Sequence, residues 1–146
     1  MEEKVDKEVS KDFSSINDLI TKSRKYLRNL IDSHVEQQKH DAHQKNLEVE
    51  LILNNLEFVG KKWIVEILWL FDMNGGMIFN DLMRRLNGIS SSLLSDRLKE
   101  LKKQKLIKRT IQDTKPISVK YELTDKGKGF IELSLLLFFY MSGFKI

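Results

Sequence analysis

A mainly α fold carrying one small β-hairpin is what this sequence predicts, and three observations predict it. Residues 62–72 place apolar side chains around nearly the whole circumference of a helix, as in a helix buried at the centre of a small domain. Two short helical segments follow, each preceded by a capping residue, and the second carries a lysine-rich face. An alternating apolar and polar stretch then reads as a hairpin. Central helix, helical pair and hairpin, in that order and without a spare loop, make a winged helix-turn-helix.

Composition sets the bounds. A chain of 146 residues buries one sizeable core but hardly two, so one domain with appendages is expected. A single Pro and seven Gly argue against a loop-rich all-β design, while 41% apolar and 32% charged residues fit a soluble, largely helical protein. There is no cysteine, which excludes disulfides, thiolate metal sites, thiol nucleophiles and thiol redox sensing. Met1 to Asp12 is a mixed-charge stretch without an apolar core, so no secretory signal is read there and a cytoplasmic protein is expected. Charge is unevenly spread: residues 1–59 carry 9 basic against 12 acidic side chains, and residues 60–128 carry 15 against 8. The second part therefore presents a surface suited to a polyanion.

The elements can be justified in order. From Ser14 to Glu36, Ile16, Leu19, Ile20, Tyr26, Leu27, Leu30, Ile31 and Val35 recur at the spacing of one helix face. Gln37 to Asn46 offers only Ala42 for burial and reads as a solvated helical continuation or a linker. Leu47, Leu51, Ile52, Leu56 and Val59 then resume helical spacing. The expected organisation is a charged segment and amphipathic helix for dimerisation at 1–46, a winged helix-turn-helix at 47–128, and an apolar dimerisation helix at 129–146. Asn74-Gly75-Gly76 ends the central helix. Asn80 is expected to cap a short helix burying Leu82, Met83 and Leu86, which Asn87-Gly88 terminates, and Ser90 is expected to cap the next.

That next helix, Ser91 to about Gln104, has its apolar stripe at Leu94, Leu98 and Leu101. At 100° per residue the opposite face carries Ser92, Asp96, Lys99 and Lys103, flanked by Ser95 and Lys102. Small hydroxyl residues, Ser91, Ser92 and Ser95, allow close approach to base edges, and Lys99, Lys102 and Lys103 suit phosphates. Leu106 to Ile111 and Ile117 to Leu123 read as strands, the second alternating strictly, with Gln112 to Pro116 between them. Lys115 at the tip and Lys120 are the expected wing contacts, and Lys61 and Lys62 near a helix start are expected to add backbone contacts. Arg97, at the edge of the buried stripe, either fastens helix packing through a carboxylate or touches DNA. Thr124 caps a last helix.

Several of these pieces together carry a family resemblance. Gly60-Lys61-Lys62-Trp63, Ile78-Phe79-Asn80-Asp81-Leu82, Gly88-Ile89-Ser90, the run Leu94 to Leu101, Pro116, and Tyr121-Glu122-Leu123-Thr124-Asp125-Lys126-Gly127 resemble the HxlR-type transcriptional regulators in order and spacing. The resemblance implies a MarR-like winged-helix fold, a homodimer built from terminal helices, and sequence-specific regulation of nearby genes through double-stranded DNA. Many members of that family sense oxidants through a Cys near the N-terminus, and this chain has none; its effector is left unknown. The family's wing usually has Arg near the position of Ser118, and the extension up to Asn46 exceeds the family's usual length.

Other chemistry is weaker. His34, His40 and His43 invite a metal reading, since His40 and His43 sit three residues apart beside Asp41, but a polar helix face accounts for them and no metal or cofactor is expected. Asn74-Gly75-Gly76 lacks the Gly-Lys-Ser/Thr signature of a phosphate loop, and Ser90-Ser91-Ser92 lacks a placed base, so no enzyme is expected. The run Phe130 to Phe144, apolar on every side from Leu133 to Met141, is shorter than the ~20 residues that span a bilayer, so burial between subunits is expected rather than a membrane role. The expected dimer interface is Ile16, Leu19, Ile20, Leu27 and Leu30 with Leu133, Leu136, Leu137 and Tyr140. The competing expectation is a winged-helix module for protein association without specific DNA binding.

Overall fold

The computed structural model describes residues 2–37 and 42–142, with side chains over 14–34 and 46–142. The described elements are α1 (Glu2–Gln37), α2 (Ala42–Gly60), α3 (Ile64–Asn74), β1 (Met77–Ile78), α4 (Phe79–Arg85), α5 (Ser91–Lys103), β2 (Ile107–Gln112), β3 (Ser118–Leu123) and α6 (Asp125–Met141). They divide into two compact units, Val49–Ser134 on one hand and Met1–Glu48 with Leu135–Ile146 on the other.

In the larger unit α3 is the centre. Ile64, Ile67 and Leu68 are fully buried and Phe71 nearly so, Val65, Trp69 and Leu70 are half-buried, and Glu66, Asp72 and Met73 are exposed, so the helix is covered on most of its circumference but not all of it. Leu82 and Leu86 from α4, Leu94, Leu98 and Leu101 from α5, and Ile107, Leu123 and Ile131 complete one continuous core. Burying a side chain of this size contributes roughly 1.5–3 kcal/mol, so the core fixes the three helices together. Gly75 at φ +65° ends α3, and Gly76 at φ +101° donates its N–H to Phe71 O at 3.1 Å. A Cβ at Gly76 would stand 2.7 Å from Tyr121 O, so only glycine lets the chain enter the sheet here.

The sheet is larger than a hairpin. β1 pairs with β3 through Met77↔Tyr121 and Ile78↔Lys120, giving the antiparallel order β1-β3-β2. Two residues are too few to show a period of two, which is why the sequence reading missed this strand. The same pairing corrects a cap: Ile78 is held extended at φ −85° and ψ 159°, so α4 starts directly at Phe79 with no side-chain cap, and Asn80 lies inside the first turn. Ser90 does cap α5, accepting the Leu93 N–H at 3.2 Å. The far wing strand also differs. It begins at Ser118, and Ile117 is 71% exposed, because this end of the hairpin projects beyond the core and nothing covers the alternation there.

Two tight contacts join the wing to the flanking helices. α5 ends in a left-handed residue, Lys105 at φ +59°, with Leu106 N–H donating to Leu101 O at 3.1 Å, a Schellman closure with Lys where Gly is usual. Thr124 then donates its hydroxyl to Lys105 O at 2.6 Å and accepts the Gly127 N–H at 3.1 Å, capping α6 as the sequence predicts. Gly127 is pressed against the same turn: a Cβ there would stand 2.1 Å from Leu106 O.

The smaller unit holds α1 and the end of α6. The Arg24 guanidinium lies 5.2 Å from the centre of the Tyr140 ring, and His34 Nε2 meets Glu48 Oε1 at 3.0 Å. Of the metal reading, His40 and Asp41 lie outside the described residues, as does the side chain of His43. Among the described residues no helix is long and apolar enough to cross a membrane.

Lys105→Gly should stabilise the protein by about 1 kcal/mol, since it removes the Cβ penalty of the left-handed conformation. Gly127→Ala should destabilise it by on the order of 3 kcal/mol through the clash with Leu106 O. Urea unfolding of both variants beside wild type checks the two signs.

Candidate nucleic-acid interface

The candidate recognition helix is α5, and its orientation follows from burial. Leu94 and Leu101 are fully buried and Leu98 is 3% exposed, so the side opposite them must face outward. Ser91, Ser92, Asp96, Lys99, Lys102 and Lys103 are all exposed, and Ser95 is half-buried at the edge. Hydroxyls therefore occupy the first turn and ammonium groups the last, on one accessible surface.

Two of the basic residues named from the sequence are bonded within the protein, in the case of Arg97 through a carboxylate as one of its two expected roles. Lys61 donates to Glu100 Oε1 at 2.8 Å, and the Arg97 guanidinium donates to Glu100 Oε2 at 3.0 Å and through Nε to Lys62 O at 2.9 Å. Arg97 is only 17% exposed at its side chain. This clip ties the middle of α5 to the turn between α2 and α3. The turn is strained, because Trp63 sits at φ +80°, a conformation that a bulky side chain rarely adopts. The Lys61 hydrogen bond, more than the opposing desolvation and together with the charges of Lys61 and Arg97, holds the Glu100 carboxyl below the usual carboxylate range. Lys62 stays exposed, its ammonium 4.8 Å from the Trp63 ring centre.

The wing distributes its lysines unequally. Lys115 is exposed in the loop, next to Thr114, whose hydroxyl donates to Pro116 O at 2.8 Å. Lys120 lies well back in β3 opposite Ile78, half-buried, with its stem over Gly76. Three arginines that the sequence reading passed over are exposed in this unit: Arg84 and Arg85 in the last turn of α4, and Arg109 in β2 opposite Tyr121. Arg84 is bonded to Asp81. A signal for the first two was present, since cations in a last helical turn are favoured by the helix dipole and sit at the helix-turn-helix corner. Lys108 pairs with Glu122 at 3.1 Å, and that hydrogen bond is the main reason the Glu122 carboxyl lies below its ordinary value.

α1 and α6 leave apolar side chains exposed. Leu19, Leu27, Leu30, Leu133, Leu137 and Tyr140 are exposed, while Ile16, Ile20 and Leu136 are half-buried. α2, whose helical spacing the sequence showed without saying what covers it, adds a further apolar surface. Leu47, Val49, Leu51, Ile52, Leu53 and Leu56 are each more than half exposed.

Buried α3, capped α5 and a wing paired back to β1 are the parts of one known architecture. The family model described as HxlR-like helix-turn-helix matches residues 58–141. The chain belongs to that family. This HxlR-like protein is 36% identical over 97 residues to MalR of Fusobacterium mortiferum, named as a regulatory protein, covering 66% of this chain and 92% of that one. Among solved structures it is similar to the reduced form of the transcriptional regulator YodB from Bacillus subtilis, with a TM-score of 0.58 and 26% identity over 62% of this chain and 88% of that chain. It is also similar to a protein of Enterococcus faecalis V583 described as a MarR-family transcriptional regulator, with a TM-score of 0.54 and 27% identity over 72% of this chain and 90% of that one. The protein is thus a helix-turn-helix transcriptional regulator of the HxlR and MarR type. Its relatives are named as regulators and not as enzymes.

Glu100→Gln tests the clip through its pH dependence. A carboxylate whose pKa is lowered in the folded state contributes stability above its unfolded titration, near pH ~4.3, and loses it as pH falls through the lower folded value. The variant should be less stable than wild type at pH 7 by roughly 0.5–1 kcal/mol, given solvent screening. The difference should shrink progressively below pH ~4, read from urea unfolding across a pH series.

Proposed function

We propose that this regulator binds double-stranded DNA sequence-specifically as a homodimer, with α5 in the major groove and the wing on the adjacent backbone or minor groove. The observation that carries this reading is the outward face of α5, where Ser91 and Ser92 precede Lys99, Lys102 and Lys103 on a helix whose other side is fully committed to the core. Serines in the first turn are small enough to admit base edges, with Ser95 at the margin. The three lysines reach phosphates, and Lys115, Lys62 and Arg109, exposed as well, are further phosphate contacts in this reading. Lys120 has the reach of a base-of-wing contact rather than of a tip contact. Arg97 and Lys61 act by holding α5 in place, as their bonds to Glu100 and Lys62 O imply.

The dimer reading is supported by the exposed apolar side chains of α1, α2 and the end of α6, too many for a chain that remains alone in water. Pairing through the three terminal segments, 1–46, the start of α2 and 129–146, would set two α5 helices about one duplex turn apart, ~34 Å. The operator is then an inverted repeat.

Fluorescence anisotropy with the DNA upstream of the protein's own gene, against a scrambled duplex of equal length over a salt series, tests the proposal. A preference of ~10³ or more with a steep negative salt slope is expected. Absence of binding at low salt would overturn it in favour of a protein-association module. Alanine at Lys99, Lys102 and Lys103 together should reduce the magnitude of the salt slope by about 2–3, and Ser92→Glu should abolish specific binding.

A further inference from the structure

α1 carries a pattern that neither the core nor the DNA-facing surface uses. Val9, Phe13, Ile16, Ile20, Ser23, Leu27 and Leu30 succeed one another at alternating steps of four and three residues, the a and d spacing of a coiled-coil seam. A straight helix at 3.6 residues per turn drifts ~20° per heptad from such a seam, and a left-handed supercoil takes up the drift. The helix that holds the pattern runs unbroken from Glu2 to Gln37, about 54 Å. Within it Ile16, Ile20 and Ser23 are half-buried, Leu27 and Leu30 are 52% and 48% exposed, and Leu19, Tyr26 and Ile31 beside them are open as well.

Charge and side-chain size select what covers this seam. Residues 2–12 hold five acids and three lysines, whereas residues 22–28 hold Lys22, Arg24, Lys25 and Arg28 and no acid. A parallel pair would set each basic segment against its own copy, and would stack Phe13 on Phe13 and leave a void at Ser23 on Ser23. An antiparallel pair sets the basic segment against the net acidic one. It also sets Phe13 against the partner's Ser23, so that large meets small there, with Val9 opposite the partner's Leu27 and Ile16 opposite the partner's Ile20.

We propose that α1 pairs with α1 of a second copy as an antiparallel two-stranded coiled coil centred between Ile16 and Ile20. This rests on the homodimer reading above and adds to it the element, the direction and the register of one contact. The segment acts as a clasp outside the winged helix-turn-helix, which strengthens the dimer without altering the DNA-facing surface.

Because the chain has no cysteine, single thiols report the pairing cleanly. Val9→Cys and Leu27→Cys are made in the full chain, and each alone and an equimolar re-equilibrated mixture are treated with a short bis-maleimide. In the antiparallel register identical positions lie roughly 27 Å apart, so neither variant should cross-link alone and the mixture should give the covalent dimer. Cross-linking of Leu27→Cys by itself shows a parallel pair and overturns the proposal. So does a mixture that fails to cross-link while sedimentation still finds a dimer, an outcome that leaves the homodimer reading standing. A monomer by sedimentation overturns both.

Discussion

Burial of the Ile64, Ile67, Leu68 and Phe71 face of α3 is the constraint on which the regulator's DNA-facing surface depends. That face is wholly apolar, so each element packed on it must present an apolar stripe, while Glu66 and Asp72 of the same helix stay exposed. α5 does so with Leu94, Leu98 and Leu101, and that single requirement points its serines and lysines outward. The surface proposed to read DNA is thus the remainder left by packing. Nothing in the polar residues themselves determines their direction.

Packing sets the face of α5 but leaves its tilt and translation softer, and here the charged groups contribute. Glu100 accepts from Lys61 and Arg97 at once, and Arg97 also reaches the carbonyl of Lys62, so two points of the strained α2–α3 turn are fixed to one helix. Partly buried ion pairs add little to stability on balance, because desolvation offsets most of the attraction. Their value in this position is orientational. The same turn follows α2, whose exposed leucines belong to the surface proposed for the partner subunit, so subunit pairing and the pose of α5 meet at Gly60 to Trp63 along the chain.

Repeated backbone closures do comparable work elsewhere. Lys105 in a left-handed conformation, Thr124 bonded on both sides, and Gly127 against Leu106 O together fix where the wing leaves α5 and where α6 begins. Gly76 does the same at the other edge, letting β1 lie against β3. The wing is in this way anchored along one end and along both edges of β3, while its loop at Lys115 stays exposed.

The sequence by itself determined the order and type of the main elements, the buried stripes of α3 and α5, the Ser90 and Thr124 caps, and the outward face of α5. These are written in local periodicity and in single capping side chains, which act within a turn or two of where they stand. Tertiary structure alone decided the rest. β1 exists only because β3 offers it a partner, and that pairing displaced the cap expected at Asn80. Lys61 looks like any exposed cation until Glu100 is brought to it from α5, 39 residues away, and the two roles open to Arg97 are told apart only when the carbonyl of Lys62 comes within its reach. The exposed leucines of α2 have the same spacing as buried ones, and periodicity cannot tell whether a stripe is covered by its own chain or left for another. Only the positions of the neighbours answer that.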